Sequence, residues 1–375
     1  RRDLVLYSMK ENGKISKEQY DQAVATPVTD GLIAHNNNVD SNDKALVYDS
    51  FVTMVLKEVQ EKTGLDPYND GLTIETTIDS KAQQRLYDIV NTNDYIQYVN
   101  DKIQNAVVML DTKTGAVRAV NGGRKQTTLL GYNRATDNSR STGSTIKPVI
   151  DYGPAIEYLN YSTGQTIMDQ RTTYSNGVEL NNWDFSHKGA MTLRTALVYS
   201  RNTTALQTFK AVGETNIKSF LNNLDIQIKN DGQDYLVESN SIGADISPIK
   251  MAAAYATFGN YGNYSKPYTV TKVTTRDGQV TEFKPEQKQA MKDSTAYMIT
   301  DVLKDSFKYG FATQATIPGL PTAAKTGSSN YTVEQKRAMG ASDYEDIIPD
   351  SWFIGYSTDY TISAWTGYDN PYEQG

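Results

Sequence analysis

Gly143-Ser144-Thr145-Ile146-Lys147-Pro148-Val149-Ile150 is the segment from which fold and chemistry can be read together. Proline is tolerated in the first turn of a helix and disrupts an interior, so Pro148 predicts a helix that starts close to Ser144. Ile146, Val149 and Ile150 supply its buried side. The dipole at a helix N-terminus favours a developing alkoxide. Residues three apart on a helix lie about 5–6 Å apart at Cβ, so the Lys147 ammonium is expected to fold back to the Ser144 hydroxyl. Desolvation and neighbouring cations would lower the proton affinity of Lys147 and fit it to act as general base.

A serine three residues before a lysine is a weak signal alone, and it occurs here as Ser41 with Lys44, Ser144 with Lys147 and Ser247 with Lys250. Ser41 lies in an Asn/Asp-rich stretch of linker composition, where no rigid element would hold it. Ser247 precedes Pro248 and the apolar run Met251 to Phe258, and reads as a helix N-cap with proline at the first helical position. Ser144 is left. Further along, Ser200-Arg201-Asn202 follows the helical stretch Leu193 to Tyr199 and would present its side chains from a turn. Lys325-Thr326-Gly327-Ser328 follows Ala323-Ala324 in an extended segment, where glycine lets a substrate backbone approach closely. S-x-x-K, Ser-x-Asn and K-T-G in this order form a catalytic set. Its parts assign Ser144 as nucleophile, Lys147 as base, Ser200 as proton relay to a leaving amine and Asn202 as the group that orients Lys147 and a substrate amide. Lys325, Thr326 and Ser328 would bind a carboxylate, and the Ser144 and Ser328 backbone N–H groups would form an oxyanion hole. A second Lys-Thr-Gly, at Lys113, lies between the apolar runs Val107 to Leu110 and Ala116 to Val120 and reads as a hairpin turn.

Composition removes the alternatives. The chain has 375 residues, a net charge of −7, 38% hydrophobic and 22% charged residues, which is ordinary globular composition without the basic face of a nucleic-acid binder. It has no cysteine, which excludes disulfides, thiolate metal sites and a cysteine nucleophile. Its 2 histidines are His35, in the polar stretch Gly31 to Asn42, and His187, in a turn. Neither suits the oriented imidazole of a Ser-His-Asp triad, nor do they form a metal pair. No glycine-rich loop runs into Lys-Ser or Lys-Thr, so nucleotide binding has no support. No cofactor and no metal are expected. No apolar run approaches the roughly 18 residues of a membrane helix. The opening Arg1-Arg2-Asp3 has no initiator methionine, so a piece of a longer protein is expected, its leader or anchor lying outside this sequence.

Around these motifs, residues 3–30 predict two short helices, with a capping box at Ser16-Lys17-Glu18-Gln19. A helix is predicted over Tyr48 to Lys62, a strand over Leu72 to Ile78 and a helix from Ser80 to about Val90. Further helical spacing covers Ala290 to Lys308, and strands are expected at Ser351 to Tyr356 and Tyr360 to Trp365. Strands, then helices, then strands predict an α+β fold with a sheet covered by a helical block.

With these residues in view the chain resembles the class A penicillin-binding proteins of bacterial peptidoglycan synthesis, of the streptococcal type. Beyond the three motifs, Asn105 to Gly123, Tyr132-Asn133-Arg134-Ala135-Thr136, Asn182-Trp183-Asp184, Met251 to Phe258 and Trp352-Phe353-Ile354-Gly355-Tyr356 carry the resemblance, which spans nearly the whole chain. It implies the penicillin-binding/serine β-lactamase-like transpeptidase fold, an antiparallel sheet covered by helices with a helical subdomain. Residues 1–71 would be the remnant of a preceding glycosyltransferase domain and a linker, 72–104 an interdomain strand–helix segment and 105–375 the transpeptidase domain. The implied reaction is attack by Ser144 on a stem peptide ending in D-Ala-D-Ala, release of the last D-Ala and transfer of the acyl group to an amine of a neighbouring strand. β-Lactams would acylate the same serine. The implied site is Ser144, Lys147, Ser200, Asn202 and Lys325, with Thr326, Gly327 and Ser328 on substrate or oxyanion. Trp183 either lines the cleft or packs in the core. Partners would be stem peptides, β-lactams and other cell-wall synthesis proteins, at the extracytoplasmic face of the membrane, with no nucleic acid.

Two departures stand out. The third motif reads Lys-Thr-Gly-Ser where Lys-Thr-Gly-Thr is commoner, which keeps the hydroxyl, and the chain stops at Gly375 where the family usually continues with a helix on the sheet. The rivals are a serine β-lactamase, a D,D-carboxypeptidase and a non-catalytic β-lactam sensor. Glu238-Ser239-Asn240 lacks the usual deacylating pattern of one β-lactamase class. Tyr261-Gly262-Asn263 echoes another but reads as a turn.

Overall fold

The computed structural model describes residues 2–27, 39–342 and 347–372. The chain divides into two compact units, Arg1–Lys44 and Ala45–Gly375. In the first, α1 (Arg2–Glu11) and α2 (Lys17–Ala25) bury no residue completely. Ser16 caps α2 as read: its Oγ accepts from Gln19 N at 3.2 Å while Gln19 Oε1 accepts from Ser16 N at 2.8 Å. His35 lies outside the described residues. The polar stretch was expected to be linker throughout, but α3 runs over Val39–Thr63, so Ser41 lies inside a helix.

Five antiparallel strands form the central sheet: β1 (Gln104–Asp111), β2 (Val117–Asn121), β3 (Ala323–Ser328), β4 (Asp350–Tyr356) and β5 (Tyr360–Gly367). Their order is β3-β4-β5-β1-β2, which leaves β3, with the third motif, on an open edge. β1 and β2 are the predicted hairpin. Asp111 Oδ1 closes its turn by accepting from the N–H groups of Lys113 and Thr114 at 3.2 and 3.0 Å. Gly115 has φ +75°, and a Cβ there would meet Ser265 at 2.9 Å. Lys113-Thr114-Gly115 is thus turn chemistry, as expected.

Helices cover the sheet and build a second block beside it: α4 (Ser80–Asn91), α5 (Gly153–Leu159), α6 (Leu193–Val198), α7 (Asn202–Val212), α8 (Glu214–Asn223), α9 (Pro248–Gly259) and α10 (Asp293–Lys304). α9 lies against β1, β4 and β5. Its Ala252, Ala253, Ala254 and Ala256 are all buried, and these short side chains let the helix axis approach the strands closely. Burying a large apolar side chain stabilises by about 1.5–3 kcal/mol, and Trp365, Leu110 and Met251 are all fully buried around this helix and sheet. A smaller sheet pairs Thr73–Thr76, Val270–Thr274 and Val280–Glu282. The expected α+β architecture is borne out. No helix among the described residues is long and apolar enough to cross a membrane.

Candidate active site

The Ser144 segment is not the regular α-helix its sequence predicts. Gly143–Ile146 forms a 3-10 turn, Pro148–Tyr152 a π-turn, and only from Gly153 does α5 begin. Pro148 lacks an N–H and its ring crowds the preceding turn, which accounts for the break in the α pattern; π-turns recur at functional sites. The segment is pinned from three sides. Tyr255 of α9 donates its hydroxyl to Thr145 O at 2.7 Å, and Thr145 Oγ1 donates to Thr142 O at 2.8 Å. The third support is the edge strand itself. Gly143 has φ +50°, and a Cβ there would lie 2.2 Å from Ser328 O. A Cβ on Gly327 would lie 2.6 Å from Thr142 O. Two glycines thus let β3 run against the turn that carries Ser144.

Behind that contact two lysines meet on one hydroxyl. Lys147 is fully buried. Its Nζ donates to Ser200 O at 2.8 Å, Asn202 Oδ1 at 2.7 Å and Arg201 O at 3.3 Å, and reaches Ser200 Oγ at 3.4 Å. The expected fold-back onto Ser144 is not seen, because these acceptors draw the ammonium across to the second motif. Lys325 is buried on β3, and its Nζ donates to Ser200 Oγ at 3.0 Å and Thr326 O at 2.9 Å. Ser200 Oγ therefore stands between Lys147 and Lys325. Burial, then the Lys325 charge and that of Arg201, hold Lys147 well below the ordinary lysine range, with Asp151 opposing. Burial alone brings Lys325 down to about 7. Both buried amines are thus shifted toward the neutral form a base requires.

The second motif stands on a buried ionic frame that the sequence did not reveal. Ser200 has φ +54°, a left-handed conformation that costs a non-glycine residue about 1–2 kcal/mol. Arg201 turns inward instead: Nε meets Asp169 Oδ2 at 2.9 Å, and Nη1 meets both Asp184 oxygens at 2.9 Å. Asp169 also accepts from Thr203 Oγ1 at 2.6 Å, Asn182 Nδ2 at 2.7 Å and Lys188 N at 2.9 Å. Burial works against its charge, yet these hydrogen bonds and Arg201 hold it below the usual carboxylate range. Asn182 Oδ1 in turn accepts from Asn202 N at 2.7 Å, and Asn202 Nδ2 donates to Asn181 O at 2.8 Å. The one hint in the sequence is the arginine between two site residues.

Asp151 is a second missed group. It follows Lys147 by four residues, is fully buried, and neither of its oxygens has a hydrogen-bond partner among the described residues. Burial raises its carboxyl well above the usual range, against the pull of Lys147. A carboxylate inside the apolar run Ile146 to Ile156 was the available signal.

Thr326, Gly327 and Ser328 occupy the open edge, paired on their other side with Phe353, Trp352 and Ser351. Trp183 is 56% exposed, so it is not core. Its Nε1 donates to Tyr199 O at 3.1 Å, next to Ser200, and its ring meets Phe311 edge-on at 5.3 Å. The structure thus brings Ser144, Lys147, Ser200, Asn202, Lys325, Thr326, Gly327 and Ser328 together, with Trp183 at the rim. The discarded motifs stay apart. Ser247 holds the N-cap position of α9, with Pro248 first in the helix, though its side chain makes no capping bond. Tyr261 and Gly262 form a left-handed turn after α9. Glu238 is engaged by Ser175 N at 2.7 Å and by Lys210 at 3.1 Å.

A family model for the penicillin binding protein transpeptidase domain matches residues 105–371. The chain is 40% identical over 379 residues to penicillin-binding protein 1A of Streptococcus oralis, covering 99% of this chain and 59% of that protein. It is 41% identical over 374 residues to penicillin-binding protein 1A/1B of Bacillus subtilis, covering 98% of this chain and 40% of that protein. The chain thus spans about two-fifths to three-fifths of the length of these relatives. Among solved structures, the penicillin-binding protein PonA1 of Mycobacterium tuberculosis superposes with a TM-score of 0.74 at 23% identity, covering 88% of this chain and 85% of that one. That likeness bears on the fold, and the streptococcal resemblance is borne out by the sequence identities. With its three motifs gathered at the edge strand and the matched region spanning most of its length, this chain belongs to the penicillin-binding protein transpeptidase family.

Proposed function

We propose that this domain is a serine D,D-transpeptidase, cross-linking peptidoglycan stem peptides through an acyl-enzyme on Ser144, and that β-lactams acylate and inhibit it. The observation that carries the reading is Ser200 Oγ within hydrogen-bond reach of both Lys147 Nζ and Lys325 Nζ. That arrangement is a proton path between the nucleophile's base and the leaving group. In acylation, Ser144 Oγ attacks the penultimate D-Ala carbonyl as its proton passes to Lys147. The carbonyl oxygen takes negative charge against the Ser144 and Ser328 N–H groups. Collapse breaks the C–N bond, and a proton relayed from Lys147 through Ser200 reaches the departing D-Ala nitrogen. Thr326, Ser328 and Lys325 hold the terminal carboxylate. Asn202 orients Lys147 and the substrate amide, and the Trp183–Phe311 pair forms an apolar wall at the cleft rim. Deacylation reverses the roles, with an amine of a neighbouring strand as nucleophile and Lys147 accepting its proton.

Stem peptides lie outside the cytoplasm, so the domain is assigned to the extracytoplasmic face of the membrane, where other cell-wall synthesis proteins would be its partners. The assigned domain spans residues 105–375, after an interdomain segment at 72–104 and the remnant of a preceding domain with its linker at 1–71. The test is covalent labelling by fluorescent penicillin. The wild-type protein labels stoichiometrically, and Ser144→Ala, with unchanged circular dichroism, does not. Undiminished labelling of Ser144→Ala moves the nucleophile elsewhere. Rapid hydrolysis of the antibiotic makes the domain a β-lactamase, and donor hydrolysis unaffected by added amines makes it a carboxypeptidase.

A further inference from the structure

Beyond the Ser328 end of β3 a cavity of about 620 Å³ opens, its walls including Arg140, Gly143, Asp245, Ser328, Tyr331 and Asp350. It therefore shares Gly143 with the turn that carries Ser144, and Ser328 with the edge strand packed on that turn. Two short strands, Arg140–Ser141 and Asp245–Ile246, form one side, with Ser141 paired to Asp245. They are held close to the nucleophile: a Cβ on Gly243 would lie 2.8 Å from Ser141 Oγ and 3.4 Å from Gly143 Cα.

The charges in this cavity are not equally committed. Asp350 is buried and fully engaged, accepting from Arg140 Nε at 2.7 Å, Trp365 Nε1 at 2.9 Å and Ser329 Oγ at 2.6 Å. Arg140 is thereby matched. The Asp245 carboxylate makes no hydrogen bond and no ion pair among the described residues, and this exposed residue lines the cavity. One negative charge is left over, next to serine hydroxyls that can donate and accept. Partial burial and the Asp350 charge raise the Asp245 carboxyl above its usual range, with Arg140 opposing, so a cation brought here would be held by a group that lacks one.

We infer that this cavity receives a primary ammonium group of the peptide substrate and that Asp245 is the residue that binds it. The inference deepens the transpeptidase reading and rests on it for the identity of the substrate. An amine is what that reaction consumes, and a diamino residue of the acyl donor would present the same group. The shared chemistry is an ammonium on a flexible chain, within reach of the acyl carbon on Ser144.

The probe is Nα-acetyl-L-lysyl-D-alanyl-D-alanine, lysine being the simplest residue with a primary ammonium, against its Nε-acetylated counterpart. Binding of each is measured by calorimetry on the free protein and on the protein already acylated by benzylpenicillin. The ammonium form binds about two- to fivefold more tightly than the acetylated form, the range for an exposed charge pair. Asp245→Asn and Asp245→Ser each abolish that ratio while leaving the acetylated peptide's affinity, and the rate of acylation by benzylpenicillin, unchanged. Preference confined to the free protein identifies the donor's side chain, and preference retained on the acyl-enzyme identifies the acceptor amine. No preference in the wild-type protein, or equal loss for both peptides in the variants, overturns the inference. Absence of any penicillin adduct on Ser144 overturns the transpeptidase reading instead, and leaves the ammonium preference of the free protein measurable.

Discussion

Removing the Asp169 carboxylate should loosen the catalytic turn without touching any catalytic group. Asp169 is completely buried and accepts hydrogen bonds from Arg201, Thr203, Asn182 and the Lys188 backbone. Breaking a buried ion pair from one side typically destabilises by about 3–5 kcal/mol, because the remaining charge is left uncompensated. Arg201 keeps Asp184, with both oxygens at 2.9 Å, so Asp169→Ala is placed at the lower end, about 3 kcal/mol. For a domain of this size, with an unfolding entropy of about 2.1 cal/mol/K per residue, that lowers the Tm by roughly 4–5 °C. The protein stays folded, since total stabilities are commonly about 5–15 kcal/mol. The turn Ser200-Arg201-Asn202 loses its anchor, and a displacement of about 1 Å in a catalytic group lowers rates about 100-fold. The assays are thermal unfolding and the second-order rate of acylation by a fluorescent penicillin.

Two further signatures separate this mechanism from general damage. Arg201→Met combined with Asp169→Ala should destabilise by less than the two changes summed, since the charge that each single change leaves unmatched at the Arg201–Asp169 contact is absent from the double variant. The Asp169 carboxyl is held below its unfolded value of about 3.9, so its contribution is fully present above that value and is lost as pH falls through the folded one. The variant should therefore lack that part of the acid sensitivity. Fully additive destabilisation, or a lower Tm with an unchanged acylation rate, refutes the role given to Asp169.

Other expectations follow from single positions. Ser200→Gly and Ser200→Ala both lose acylation by about 10²–10⁴-fold, and the glycine form unfolds about 1 kcal/mol later because of the φ of +54°. Gly143→Ala drives its Cβ into Ser328 O, 2.2 Å away, and should destabilise by about 3 kcal/mol with acylation falling at least about 100-fold. Lys325 sits at about 7 when folded and about 10.4 when unfolded, so below about 7 its burial weighs fully against the fold. That burden shrinks as pH rises between the two values. Lys325→Met should thus exceed the wild-type Tm most at pH 6, with the gap closing toward pH 10.

The candidate site was legible because chemistry restricts residue types at short spacing. Ser144 with Lys147, and Ser200 with Asn202, are local patterns, and Lys325 was singled out by the extended segment around it. The hairpin at Lys113 was legible because Asp111 and Gly115 satisfy a turn on their own. The geometry between motifs was not. Nothing in the spacing of Ser144 and Lys147 shows that Lys147 points to Asn202, because the acceptors that draw it lie in the distant turn that leads into α7. The frame of Arg201, Asp169 and Asp184 depends on long-range pairing, which periodicity does not encode. Helix propensity also favoured an α-helix at Ser144, where Pro148 and the packing of β3 impose a 3-10 turn and then a π-turn. The early start of α3 was hidden because Asp and Asn serve loops and helix N-termini equally well.

The central claim is that Ser144 forms a long-lived acyl-enzyme. Intact-protein mass spectrometry after incubation with benzylpenicillin, followed by peptide mapping, tests it directly. A single stoichiometric adduct on the peptide containing Ser144, persisting for many minutes and absent from Ser144→Ala, is the predicted result. No adduct with the antibiotic intact, or an adduct mapped to any other residue, would contradict it.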